Sequence, residues 1–294
     1  MAEIILKNEQ LEIEVKLHGA ELCSLKDVES GIQYLRNADP KYWGRTSPVL
    51  FPFVGSVRDK KFKYNGTEYP MNQHGFARDT EFEQIAAGED FVTYRLCADE
   101  ESKKKYPFDF VLEITHRLEN NRLSVEWNVK NVDDKEMYFT IGGHPAFNVN
   151  ILPDTDFEDY SLVFKEGIET LSYILIDAEN GTPLTDETHK LELTNSKYAL
   201  KKDMFDKDAL VFDNGQIEWA ALALPDGKPY IALESKNFPN FGIWSKPGAP
   251  YVCLEPWCGR CDNKGFQGEI SEKPGINTLK AGEVFKKSYD IIVY

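Results

Sequence analysis

The chain of 294 residues carries 34 Lys and Arg against 49 Asp and Glu, a formal charge of −15 at neutral pH. That balance argues against nucleic acid and anionic membrane as partners, since both reward clustered basic side chains, and it points to a small neutral or locally cation-bound molecule. A hydrophobic fraction of 41%, with 18 Phe and 14 Tyr, supplies a large core without disulfides or structural metal, and five cysteines in so long a chain read as reduced thiols.

Met1 to Lys7 lacks a basic start and a long apolar stretch, and no later segment is apolar enough to span a bilayer, so a cytoplasmic location is expected. Leu11, Ile13, Val15 and Leu17 alternate with Glu12, Glu14 and Lys16, the period-two signature of a half-buried strand. His18 precedes a glycine at its end and is expected to be structural or exposed. Between Trp43 and Arg78 come Pro48 to Gly55, then Arg58, then His74-Gly75-Phe76-Ala77-Arg78. Two prolines so close prevent regular ladder pairing, so this is a shaped loop, with Arg58 and His74 just outside regular strands where binding residues concentrate. A packed irregular loop with two solvated side chains fits the local sequence equally well. Asn65-Gly66, between Phe62-Lys63-Tyr64 and Thr67-Glu68-Tyr69, is a hairpin turn, because the pair tolerates positive φ.

Asp99 to Lys105 is the best helical candidate, stopped by Pro107. Phe110, Leu112, Ile114, His116 and Leu118 mark the next strand, and Asn120-Asn121 turns it into another that carries Leu123, Val125, Trp127 and Val129. His116 holds an apolar position there and is expected to be a hydrogen-bonded core histidine. In Ile141-Gly142-Gly143-His144-Pro145-Ala146-Phe147-Asn148 the paired glycines allow close backbone approach and Pro145 stiffens the chain, which singles out His144. His189 lies in a polar stretch and carries no signal. Asp226-Gly227 is a third hairpin turn. In Tyr251-Val252-Cys253-Leu254-Glu255-Pro256-Trp257, Val252 and Leu254 share one strand face, so Cys253 and Glu255 share the other. An edge-strand glutamate in water is the plain alternative; the adjacent Pro256-Trp257 pair favours a cleft, since tryptophan suits sugar stacking. Cys258-Gly259-Arg260-Cys261 has C-x-x-C spacing, but no βαβ pattern, second C-x-x-C or histidine pair accompanies it, which argues against a redox or zinc role. Without repeats or linkers, residues 1–294 read as one all-β domain, a large antiparallel β-sandwich.

Taken in order, Phe51-Pro52 with Arg58, His74-Gly75, His144-Pro145 and Leu254-Glu255-Pro256-Trp257 resemble the aldose 1-epimerase (galactose mutarotase-like) family, nearest to its LacX-type branch. The resemblance implies the large galactose mutarotase-like sandwich, a sugar bound on a concave sheet face, and no cofactor or metal. It implies His144 as general acid, Glu255 as general base, and Arg58, His74 and an aspartate near Asp208 as substrate-binding groups, with Asp206 and Asp213 flanking the same segment. The partner would be a small-molecule sugar such as galactose or glucose, and the protein a monomer or homodimer. Galactose mutarotases have asparagine where this chain has Gly143, and Gly-Gly where it has Gly75-Phe76, which leaves the sugar open. A related branch acts on hexose 6-phosphates, for which Arg45, Arg58, Arg78 and Lys246 are the available basic side chains.

Anomerisation needs a base to take the proton of the C1 hydroxyl and an acid to protonate the ring oxygen, and His with Glu meets both demands. Three other readings stand beside it. The scaffold can hold sugar without catalysis; His74, His144 and Glu255 can be drawn as a two-His-one-carboxylate metal site; and a glycosidase would need a second catalytic carboxylate that the sequence does not offer.

Overall fold

A computed structural model describes residues 3–177 and 181–294; Met1 and Ala2 of the opening segment lie outside the described residues. The alternating segments form strands with one buried face, at Leu11–Lys16, Phe110–Glu119 and Arg122–Asn131. The turn dipeptides close hairpins, with positive φ at Asn65, Gly66, Asn120 and Gly227: Tyr64 pairs with Thr67 across Asn65-Gly66, Glu119 pairs with Arg122 across Asn120-Asn121, and Trp219–Ala223 returns as Pro229–Glu234 around Gly227. The short helix is Glu100–Lys103, capped by Asp99, whose side chain accepts the Ser102 N–H at 2.7 Å.

Among the described residues every pairing between two strands is antiparallel, and two sheets dominate. In the nine-stranded sheet the central strands are Pro229–Glu234, Val284–Val293, Arg122–Asn131 and Phe110–Glu119. The six-stranded sheet runs Leu210–Phe212, Asn240–Trp244, Tyr251–Cys258, Ile141–Gly143, Val49–Leu50, with Ala146–Asn148 also pairing Tyr251–Cys258. Leu112, Ile114, Leu123 and Val125 of the large sheet share one continuous core with Ile243, Val252 and Leu254 of the other. Aromatic rings span the two layers, as where Phe51 meets Phe110 with centroids 5.1 Å apart. This is the expected antiparallel sandwich.

His116 sits in that core, its Nε2 3.0 Å from the Ala20 carbonyl, whereas His18 pairs with Glu81 near the surface. Cys258 and Cys261 are separate buried thiols, raised by burial to about 12 and about 11, so the C-x-x-C spacing marks no disulfide. Among the described residues no helix is long and apolar enough to cross a membrane.

Candidate active site

The strand Tyr251–Cys258 is buried along its whole length and lies inside its sheet, so Glu255 is not the edge-strand residue of the plain alternative. Val252 and Leu254 face the core between the sheets, while Cys253, Glu255 and Trp257 face the other side. Two short strands pair with it along one edge: Ile141 and Gly142 oppose Cys258 and Trp257, and Ala146 and Phe147 oppose Cys253 and Val252. His144 falls in the interval between them, across from Glu255, with its Nε2 3.2 Å from Glu255 Oε2. On the other edge Glu255 pairs with Gly242. The glycines are required by Trp257: a Cβ at Gly142 would stand 2.5 Å from its ring, and one at Gly242 would stand 2.4 Å from it.

His74 approaches from a loop with positive φ, its ring edge-on to His144 at 5.7 Å between centroids. The Gly55 N–H donates to its Nδ1 at 3.1 Å, which leaves the proton of a neutral ring on Nε2. Above the pair stands an aromatic wall. Trp43 lies 4.6 Å from the His144 ring and Trp244 5.8 Å from it, and both contact Tyr251. The Trp43 segment is held by Arg36, a buried side chain to which the sequence reading assigned no part. Its guanidinium donates to the carbonyls of Asp39, Trp43 and Arg45 and packs 4.3 Å from the Tyr251 ring.

Burial sets the protonation of this cluster. It lowers His144 to about 3, with Arg78 and Arg45 adding positive charge, and it lowers His74 well below its ordinary value with help from the same arginines. It pushes Glu255 well above the carboxylate range, reinforced by the negative charge of Asp208; the Trp257 indole N–H pulls the other way without completing a hydrogen bond. Desolvation thus favours a neutral carboxyl on Glu255 and a neutral imidazole on His144. Glu255 Oε2, Trp257 Nε1 and Arg78 Nε are all buried and complete no hydrogen bond within the chain, although Oε2 lies 3.2 Å from His144 Nε2 and Arg78 Nε lies 3.8 Å from Asp79 Oδ2.

The other expected residues separate clearly. Asp208 acts on Glu255, whereas Asp213 is committed to Arg260 and Asn240, and Asp206 lines a different cleft with Tyr173 and His189. Arg58 is not brought to the histidines. Its backbone N–H is tied to Asp262, its guanidinium lies near Asp59 and the Phe266 carbonyl, and it lines a recess with Phe62 and Lys273. Arg78 and Arg45 supply the positive charge instead; the periodicity of a loop does not encode which of its arginines turns inward. Lys246 lines yet another recess. The two-His-one-carboxylate set also fails to converge: among the described residues, the donors that come together are His144, Cys253 and Glu255, without His74.

Residues 3–291 match the family model for aldose 1-epimerase. The plasmid-encoded protein LacX of Lactococcus lactis subsp. lactis is 32% identical to this chain, with 99% of each covered. Among solved structures, a galactose mutarotase related enzyme from Lactobacillus acidophilus is 31% identical with a TM-score of 0.94, over 100% of this chain and 97% of that one. A galactose mutarotase-like protein from Lactobacillus casei is 29% identical with a TM-score of 0.90, over the full length of both.

Proposed function

The chain belongs to the aldose 1-epimerase family, and we propose that it is a working mutarotase that interconverts the α and β anomers of an aldohexose through His144 and Glu255. The observation that carries this reading is the 3.2 Å contact between two buried groups of complementary proton affinity. Ring opening takes the C1 hydroxyl proton onto one of them and delivers a proton from the other to the ring oxygen. The aldehyde then turns about its C1–C2 bond, and closure on the opposite face returns both protons. One proton shared by the pair suffices, because the state with the proton on Glu255 and the state with it on His144 differ only by transfer across that contact. With burial favouring the neutral pair, in the opening step His144 would take the C1 proton and Glu255 would serve the ring oxygen, and closing would reverse the roles. His74, through Nε2–H, and Asp208 would hold hydroxyls, and Trp43 and Trp244 would stack against the sugar ring.

A phosphorylated sugar is the second reading, favoured by one observation: Arg78 is largely buried, its Nε makes no hydrogen bond and only a 3.8 Å ion pair with Asp79, and with Arg45 it adds positive charge at both histidines. Burial and Arg45 lower its own affinity for the proton to about 10, so it still carries its charge at neutral pH. Asp79 pairs with both arginines, one carboxylate for two cations, so an anionic substituent on the sugar would supply the second counter-charge.

Polarimetry on freshly dissolved α-galactose, α-glucose and their 6-phosphates tests both. Acceleration over the uncatalysed rate is expected, and a preference for the 6-phosphates that vanishes in Arg78→Met would select the second substrate class. No acceleration of any sugar, with sugar still bound, would leave a binding protein.

A further inference from the structure

We propose that His144, Cys253 and Glu255 form a zinc-binding site, at which Zn²⁺ occupies the acid–base pair and excludes sugar. The three donor atoms lie within 4.8 Å of one another, on side chains that are all buried. Two of them project from one face of the strand Tyr251–Cys258, two residues apart, and the third reaches them from the neighbouring interval between short strands. Nitrogen, sulfur and oxygen together suit zinc, whereas magnesium and calcium want oxygen alone. Zinc bonds of about 2.0 to 2.2 Å to nitrogen and oxygen, at a tetrahedral angle, put those two donors roughly 3.4 Å apart. His144 Nε2 and Glu255 Oε2 stand at 3.2 Å. The thiol has to close by rotation about a single side-chain bond.

A second observation points to a ligand here: Glu255 Oε2 is fully buried, its one ion-pair contact among the described residues is His144 Nε2, itself a donor of the set, and no arginine or lysine pairs with this carboxyl group. The positive charge of Arg78 and Arg45 works against a cation. Binding displaces two protons to solvent, one from the Cys253 thiol and one from the Glu255 carboxyl, and the resulting thiolate and carboxylate cancel the charge of Zn²⁺, so the bound ensemble adds no net charge beside those arginines. Three protein donors leave a fourth position for water. Zinc bound in this way withdraws the lone pairs that His144 and Glu255 need for proton transfer.

The test is direct binding to the full-length protein after chelator treatment and dialysis, with Co²⁺ as the spectroscopic probe and Zn²⁺ as its competitor. One equivalent of Co²⁺ is expected to produce a sulfur-to-metal charge-transfer band in the near ultraviolet, and Zn²⁺ to abolish it. Cys253→Ser should lose the band and weaken Zn²⁺ binding by roughly tenfold or more, while Cys261→Ser, in the C-x-x-C segment, should keep both. If Cys253→Ser does not fold, His144→Asn must lose the band in its place. No charge-transfer band in the unmodified protein would overturn the proposal. So would a band that survives Cys253→Ser and disappears in Cys261→Ser, since zinc would then sit elsewhere. Inhibition is a separate arm: Zn²⁺ should slow mutarotation competitively with sugar in the unmodified protein and far less in Cys253→Ser, each compared with its own metal-free rate. Binding without any mutarotation to inhibit would sink the catalytic reading and leave the zinc site standing.

Discussion

Removing either partner at the His144–Glu255 contact leaves the other unable to complete a proton cycle. Glu255→Gln keeps size and much of the hydrogen bonding but can neither release nor accept the proton, and His144→Asn keeps a donor without a titratable ring. Each should lower kcat by roughly 10² or more with modest change in KM. The pH profile follows from the same burial. Activity requires one proton on the pair, so the acid limb comes where His144 gains a second, near about 3, and the alkaline limb where raised Glu255 loses the only one. A wide plateau through neutrality is expected in kcat/KM; a sharp optimum near 6.5, the value for a solvated histidine, would mean that sugar does not meet a desolvated pair. Both residues stood out in sequence because stiff neighbours flank them. Their protonation did not, since it depends on what the other strands bury against them. Arg58 and Arg78 show the same limit, being alike in sequence and opposite in direction.

Two local elements hold the pair in place, and they differ in how far the sequence discloses them. Gly142 and Gly242, on strands either side of Tyr251–Cys258, form a slot for the Trp257 ring. Gly242→Ala puts a methyl 2.4 Å from that ring, so Trp257 must leave the slot. A stability loss of about 1 to 3 kcal/mol is expected, together with a fall in kcat as Glu255 shifts; a melting point and rate equal to those of the unmodified protein would deny the slot any role. The paired glycines before His144 were visible as a sign of close approach, but Gly242 was not, because its partner is fifteen residues away on another strand. The second element is the segment between Asp39 and Arg45 that carries Trp43 over His144, fixed by Arg36. Arg36→Met keeps length and loses every donor. The exposed Lys41 in that segment should then be cut faster by trypsin, and KM should rise more than kcat falls, since the wall that stacks on the ring is what loosens. Unaltered cleavage would place the restraint elsewhere. The hairpins, by contrast, were legible throughout, because turn dipeptides and period-two alternation are properties of adjacent residues.

Across the whole molecule the two sheets share one continuous apolar core, so they are expected to unfold together in a single transition followed equally by far-UV and tryptophan signals. Three of the five histidines sit in that unit in their neutral form: His74 well below its ordinary value, His116 lowered to about 4 and His144 to about 3, each by burial first. A histidine that binds its proton less well folded than unfolded contributes stability that is fully present above about 6.5 and is lost as pH falls toward its folded value. Glu255 has the opposite sign: its raised folded value favours the acid side, and its contribution fades as pH rises above about 4.3. Below neutrality three histidines outweigh one carboxyl, so the melting temperature should fall from pH 7 to pH 5. His116 isolates the effect, because it lies outside the active site and makes one hydrogen bond, to the Ala20 carbonyl, that a glutamine amide can replace. His116→Gln should melt close to the unmodified protein at pH 7 and lose less on acidification, the difference growing by up to about 1.4 kcal/mol per pH unit below about 6.5. Identical acid sensitivity in the two proteins would show that His116 takes up its proton in the fold without cost, and that the core around it is wetter than its packing indicates.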